Sequence, residues 1–238
     1  EQAVKEVERR YRTQFITSII NCQFDSVNTL IERARDFGWN FSVPHILALI
    51  EVDFLYQPGK IGYHSNSYLQ QKEQVLETIR NGFYKQYTRD QLVAVDYGRH
   101  VLVVVLDKDA TLSPEHVLDK TKAIIQQAIE DLKRFISPST LSSGISRVHK
   151  SISDLHASYE EAKQSLSFVQ TMGHSNSVIS FDELGVCKLI GTVSEKRLRD
   201  FAKEYLEPLI SVENKDRLDS LKTLRTYLRY GGAISRSA

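Results

Sequence analysis

Two aspartates and a short polar turn hold most of the chemistry this sequence could perform. In Ala94-Val-Asp-Tyr-Gly-Arg-His-Val-Leu-Val-Val-Val-Leu-Asp107, the residues Asp96, Tyr97, Gly98, Arg99 and His100 lie between apolar runs, and Asp53 closes the earlier run HILALIEVD. Carboxylates at the end of one strand and at a neighbouring hairpin turn would suit phosphoryl or nucleotidyl transfer, which needs two or more acids to hold divalent cations against the charge building on phosphate oxygens. Asp53 and Asp96 are the only obvious acids here. Arg99 and His100 place positive or neutral groups at the turn, where they would repel a cation and leave it under-coordinated. The expectation is a turn that is solvated or makes contacts, with no metal and no cofactor.

Other chemistries find less support. The seven histidines, His45, His64, His100, His116, His149, His156 and His174, show no i, i+4 pair of a zinc helix, and no CxxC accompanies them. They are expected to be scattered surface residues. Gly144-Ile-Ser146 lacks the strand-turn-helix context of a nucleophile elbow. Gln57-Pro-Gly-Lys-Ile-Gly62 lacks the spacing of a phosphate-binding loop, so a plain connection is expected there. Cys22 and Cys187 are too few and too far apart for a disulfide framework and read as buried apolar residues of a reducing compartment.

The elements that must position Asp53 and the turn follow from periodicity. Val4, Val7, Tyr11, Phe15, Ile16, Ile19 and Ile20 recur at steps of three and four and predict an amphipathic helix over 3–24. Its stripe, Val4, Val7, Tyr11 and Phe15 above all, either packs on the domain or pairs with a second copy. The aromatic Tyr11 and Phe15 favour an irregular intramolecular core over a heptad seam. Ser26 caps a second helix that Gly38 ends, with Trp39 and Phe41 as core anchors. His45 to Asp53 is a buried strand, 68–87 a helix, and 91–97 with 101–107 an antiparallel hairpin around a three-residue connection. Ser113 and Pro114 open a helix to about Ile136, 141–149 is a weak strand, Leu155 to Val169 is a helix closed by Gly173, and 178–181 adds a strand. This order contains βαββαβ, so the fold class is α+β with a ferredoxin-like antiparallel sheet. The expected division is a helical lead-in over 1–44, the α+β domain over 45–185 and a helical segment over 186–238, in which Ser194 caps one helix and Leu218, Leu221, Leu224 and Leu228 stripe another.

A formal net charge of +1 gives no global field for nucleic acid. No apolar run approaches the ~18 residues of a membrane span, and EQAVKEVERR is too charged for a signal peptide, so a cytoplasmic protein is expected. The start at Glu1 and the restart of an apolar pattern at 231–238 suggest a piece of a longer chain.

Several stretches carry a family resemblance. Glu8-Arg-Arg-Tyr-Arg-Thr-Gln-Phe15 with Leu30-Ile-Glu-Arg-Ala-Arg-Asp-Phe-Gly-Trp39, the helix Leu155-His-Ala-Ser-Tyr-Glu-Glu-Ala-Lys-Gln-Ser-Leu166 with its SY-x-EA pattern, Val178-Ile-Ser-Phe-Asp-Glu-Leu-Gly185, and Thr223-Leu-Arg-Thr-Tyr-Leu228 resemble the PucR/CdaR family of bacterial transcriptional regulators, with 45–181 similar to its degenerate GGDEF-like domain. The resemblance implies a non-catalytic dimerisation or signal-relay region that responds to a small metabolite. It also implies DNA binding through a C-terminal helix-turn-helix whose second helix starts near Ala233 and whose recognition helix is absent from this chain. In diguanylate cyclases the hairpin carries Gly-Gly-Asp/Glu-Glu-Phe. Placed on Tyr97-Gly98-Arg99-His100-Val101, that motif retains one glycine and neither acid. The alternative is a domain that still binds nucleotide or retains weak cyclase activity through Asp53 and Asp96.

Overall fold

The computed structural model describes residues 2–53, 66–111, 113–136, 140–172, 175–188, 193–210 and 214–229. The loop at 57–62, Gly173 and the segment 230–238, where the second helix of a helix-turn-helix is expected, lie outside them. The chain divides into two compact units, Glu1–Lys188 and Leu189–Ala238.

The first unit contains α1 (Gln2–Ile20), α2 (Val27–Asp36), β1 (His45–Asp53), α3 (Asn66–Tyr84), β2 (Leu92–Tyr97), β3 (His100–Leu106), α4 (Pro114–Ile136), β4 (Thr140–Ile145), α5 (Leu155–Thr171) and β5 (Val178–Ser180). Local signals account for several boundaries. Ser26 Oγ accepts the Thr29 N–H at 3.2 Å, and Gly38 adopts φ +76° just past the end of α2. The strands lie in the order β2-β3-β1-β4-β5, antiparallel except for the parallel pair β4-β5. The first four are the ferredoxin-like order, with β5 added beyond β4.

Alternation along the strands makes two apolar faces. Ile46, Ala48, Ile50, Leu92, Ala94, Val101, Val103 and Val105 pack with Leu76, Ile79, Phe83 and Ile125 of α3 and α4. Leu47, Leu49, Val93, Val95, Leu102 and Val104 pack with Phe15, Ile16, Ile19, Leu30, Trp39, Phe41 and Leu166. Each fully buried aliphatic or aromatic side chain contributes on the order of 1.5–3 kcal/mol, so the helical lead-in supplies half of this second core and belongs to the first unit. β2 is a free edge, and Arg80 donates from Nε and Nη2 to the Ala94 carbonyl at 3.3 and 2.7 Å.

α1 joins the core only through its C-terminal half. Phe15 is 3% exposed, whereas Val7 and Tyr11 are 52% and 60% exposed, so Tyr11 is not the core residue its aromatic character suggests; the side chain of Val4 lies outside the described residues. The cysteines also depart from expectation: Cys22 is exposed, at φ +54° where α1 turns off, and Cys187 is half-buried. His45 reverses the surface assignment by being fully buried in β1. No helix among the described residues is long and apolar enough to cross a membrane.

In the second unit α6 (Glu195–Ile210) and α7 (Asn214–Arg229) follow one another. The Leu198 N–H bonds the Ser194 carbonyl at the start of α6, as a cap there predicts. Phe201 and Tyr205, one turn apart, bring their rings to 4.6 Å and are both mostly exposed.

Candidate functional site

The hairpin turn has two residues, not three. Tyr97 pairs directly with His100, leaving Gly98 and Arg99 as its centre. Gly98 takes φ +61° and Arg99 stays at negative φ, the pattern of a type II′ turn, which matches the twist of the flanking strands. The β1-β3 register decides which acid faces the turn. Glu51, not Asp53, stands opposite His100 across the β1-β3 ladder.

Glu51 is 8% exposed and is the acid around which the turn is organised. Its carboxylate lies 3.5 Å from His100 Nε2 and 3.8 Å from Arg99 Nε, and accepts a 2.5 Å bond from Gln170 Nε2 of α5. The His100 contact holds the Glu51 carboxyl below its usual range; burial opposes this, and Gln170 and Arg99 reinforce it. Arg99, His100 and Gln170 thus all serve as partners of a buried carboxylate of the same fold. The HILALIEVD pattern contains Glu51 inside an apolar run, which was the available sign of a paired buried acid.

Asp96 and Asp53 do not converge. Asp96 is level with Val101 and, through it, Ile50, whereas Asp53 pairs with Thr140 and shares the parity of Glu51. The two aspartates therefore stand at register positions of opposite parity. The Asp96 carboxylate meets Arg9 Nη2 at 3.2 Å, and Arg9 Nη1 also holds Glu73 at 2.7 Å. The side chain of Asp53 lies outside the described residues. Among the described residues no group of three or more His, Cys, Asp or Glu is arranged to hold a metal ion.

Tyr97 faces α5 and meets Tyr159 edge-on, with ring centroids 5.6 Å apart. Burial pushes both phenols up. The remaining residues of the SY-x-EA pattern act nearby. Ser158 Oγ bonds His45 Nε2 at 2.8 Å, while Glu161 accepts from Arg147 Nη2 at 2.5 Å and lies 3.1 Å from His149 Nε2. Ala162 lies against Gly144, where an added Cβ would stand 2.1 Å from the Ala162 carbonyl oxygen. The pattern is a row of fasteners binding α5 to the sheet and, through Tyr159, to the base of the turn. One helical turn brings such positions onto one face. The partners of this helix, His45, Arg147 and His149, required the tertiary structure to be recognised.

Chemically, this end of the sheet offers ion pairs, phenols and amides, all engaged with one another. Among the described residues, the acids Glu51 and Asp96 stand at positions of opposite parity and are each held by internal partners.

A model of the family described as "GGDEF-like domain" matches residues 23–168, more than half of the chain. Comparison with curated proteins finds no match. Among solved structures, the GGDEF domain of DgcB from Caulobacter crescentus, in complex with c-di-GMP, is similar at a TM-score of 0.40 and 15% identity, covering 66% of this chain and 95% of that one. An EAL/GGDEF domain protein from M. capsulatus gives 0.43 and 15% over 63% and 92%. The active GGEEF domain of a diguanylate cyclase from Vibrio cholerae gives 0.38 and 15% over 65% and 89%. The family match spans β1 to β4, the hairpin and most of α5, and the chain belongs to the GGDEF-like domain family.

Proposed function

We propose that this chain is the non-catalytic relay and dimerisation region of a bacterial transcriptional regulator of the PucR/CdaR type, which binds DNA through a C-terminal helix-turn-helix whose recognition helix is not in this chain and answers to a small metabolite. The observation that carries the non-catalytic part is the capture of Glu51 by Arg99, His100 and Gln170 at the turn. A cation drawn there would have to displace internal partners. The regulator part is supported by the SY-x-EA helix and the other stretches that resemble that family.

The test is incubation of the intact chain with GTP and magnesium, followed by chromatography and calorimetry. No cyclic dinucleotide and no heat of binding are expected. Product formation that Asp53→Asn abolishes would establish the cyclase reading instead.

Dimerisation is assigned to the exposed stripe of α1, where Val7 and Tyr11 leave apolar surface in solvent. Light scattering of the Tyr11→Glu variant should give half the mass of the parent chain. Equal masses would remove this helix from the dimer.

A further inference from the structure

A cleft of about 960 Å³ opens along the free edge of β2, between α1, α3 and the end of α2. Its size is within the range of small-molecule sites. Arg9, Arg12, Arg80 and Arg89 line it, as do Trp39 and Tyr84.

The guanidiniums are unequally compensated. Arg9 is paired with both Glu73 and Asp96, and Arg12 with Glu8 at 2.7 Å. Arg80 donates to the Ala94 carbonyl, and among the described residues neither it nor Arg89 forms an ion pair with a carboxylate. A partial dipole is a weak counterpart for a charge in a half-buried position. Burial lowers the affinity of Arg80 for its proton, Tyr84 and Glu73 oppose that effect, and Arg9 and Arg12 add to it. Arg12 lies over the Trp39 ring at 5.7 Å, and its Nε is buried without a hydrogen-bond partner. Arginine forks match the two oxygens of a carboxylate or phosphate, and flat aromatic walls match a planar ring.

We infer that this cleft is a binding site for a small oxyanion, a carboxylate or a phosphate, carried on an aromatic ring. The oxygens are received by Arg80 and Arg89, and the ring lies against Tyr84, the exposed aromatic of the lining, with Trp39 buried beneath Arg12. Nothing in this requires the regulator assignment, and a titration without GTP or DNA distinguishes failure of one from failure of the other.

Trp39 is the only tryptophan of the chain, so its emission reports on the cleft directly. The intact chain would be titrated with phthalate, phenyl phosphate and inorganic phosphate, following Trp39 emission and heat. Phthalate or phenyl phosphate should bind with a Kd below about 1 mM and change the emission, with inorganic phosphate about tenfold weaker or more. Arg80→Gln and Arg89→Gln should each weaken the aromatic probe by about tenfold, while Lys150→Gln, away from the cleft, should not. If Arg80→Gln fails to fold by circular dichroism, the exposed Arg89 carries the comparison with Arg89→Gln alone. The inference is overturned if neither aromatic probe binds at about ten times that concentration, if inorganic phosphate binds equally well, or if affinity survives in every folded arginine variant.

Discussion

Gly144→Val is expected to leave the first unit unfolded at ambient temperature, and Gly144→Ala to lower its stability by more than about 4 kcal/mol, beyond the usual cost of overpacking. A Cβ at this position would lie 2.1 Å from the Ala162 carbonyl oxygen and 2.4 Å from the Leu166 backbone nitrogen. Both obstacles are main chain, so no rotamer change relieves them and α5 itself must retreat from β4. That retreat would loosen Ser158 from His45, Glu161 from Arg147 and Gln170 from Glu51, because all three are anchored on the same rigid helix. Urea denaturation followed by far-ultraviolet circular dichroism provides the check. An alanine variant with the parent's midpoint would mean that helix and strand are not in such close approach.

Acid is expected to unfold the first unit well before its carboxylates as a group are protonated. His45 is fully buried, its Nε2 against Ser158 Oγ, which in turn donates to the Asp154 carbonyl at 3.2 Å. Nε2 is therefore the protonated nitrogen of the neutral ring, and Nδ1 is buried without a partner. Protonating Nδ1 would bury a cation beside His149, and burial first, then that neighbour, pushes His45 down to about 3. The unfolded chain, with an ordinary histidine near 6.5, binds the extra proton between these values, so stability is full above pH ~6.5 and falls as pH drops, by about 3 kcal/mol on reaching pH ~4. Glu161 adds to the loss lower down: burial opposes its ionisation, but bonds from His149 and Arg147 outweigh this and hold it at about 2, so its contribution fades below the ordinary carboxylate value. Urea midpoints measured across this range should fall steeply for the parent and remain nearly level above pH ~4.5 in His45→Gln, whose amide can still reach Ser158. A parent midpoint independent of pH would show that His45 is not held neutral.

The strand order was legible because β-branched runs, a proline-opened helix and turn residues all pointed to the same βαββαβ succession. The capping of α2 by Ser26 and its end at Gly38 were legible for the same local reason. Misreadings arose where a pairing register or a distant neighbour decides. The turn is one residue shorter than expected, so His100 belongs to β3, and the β1-β3 register sets Glu51 opposite it, two positions before Asp53 on the same face, a pairing that no local pattern specifies. His45 looked like a surface residue because its partners, Ser158 and His149, are more than a hundred positions away. Tyr11 looked like a core residue because periodicity places it on the stripe without showing that the sheet ends before reaching it. The cleft arginines are spread from Arg9 to Arg89 and have no common motif, so only the tertiary structure brings them together.

The bond from Arg80 to the Ala94 carbonyl has a further consequence for self-association. β2 is where another chain could extend the sheet by adding a strand, the usual route from exposed edges to fibrils. A guanidinium clamped on that edge means an incoming strand must strip away two hydrogen bonds and confront neighbouring positive charge before its first ladder bond can form. Growth by strand addition is thereby discouraged on this side of the sheet.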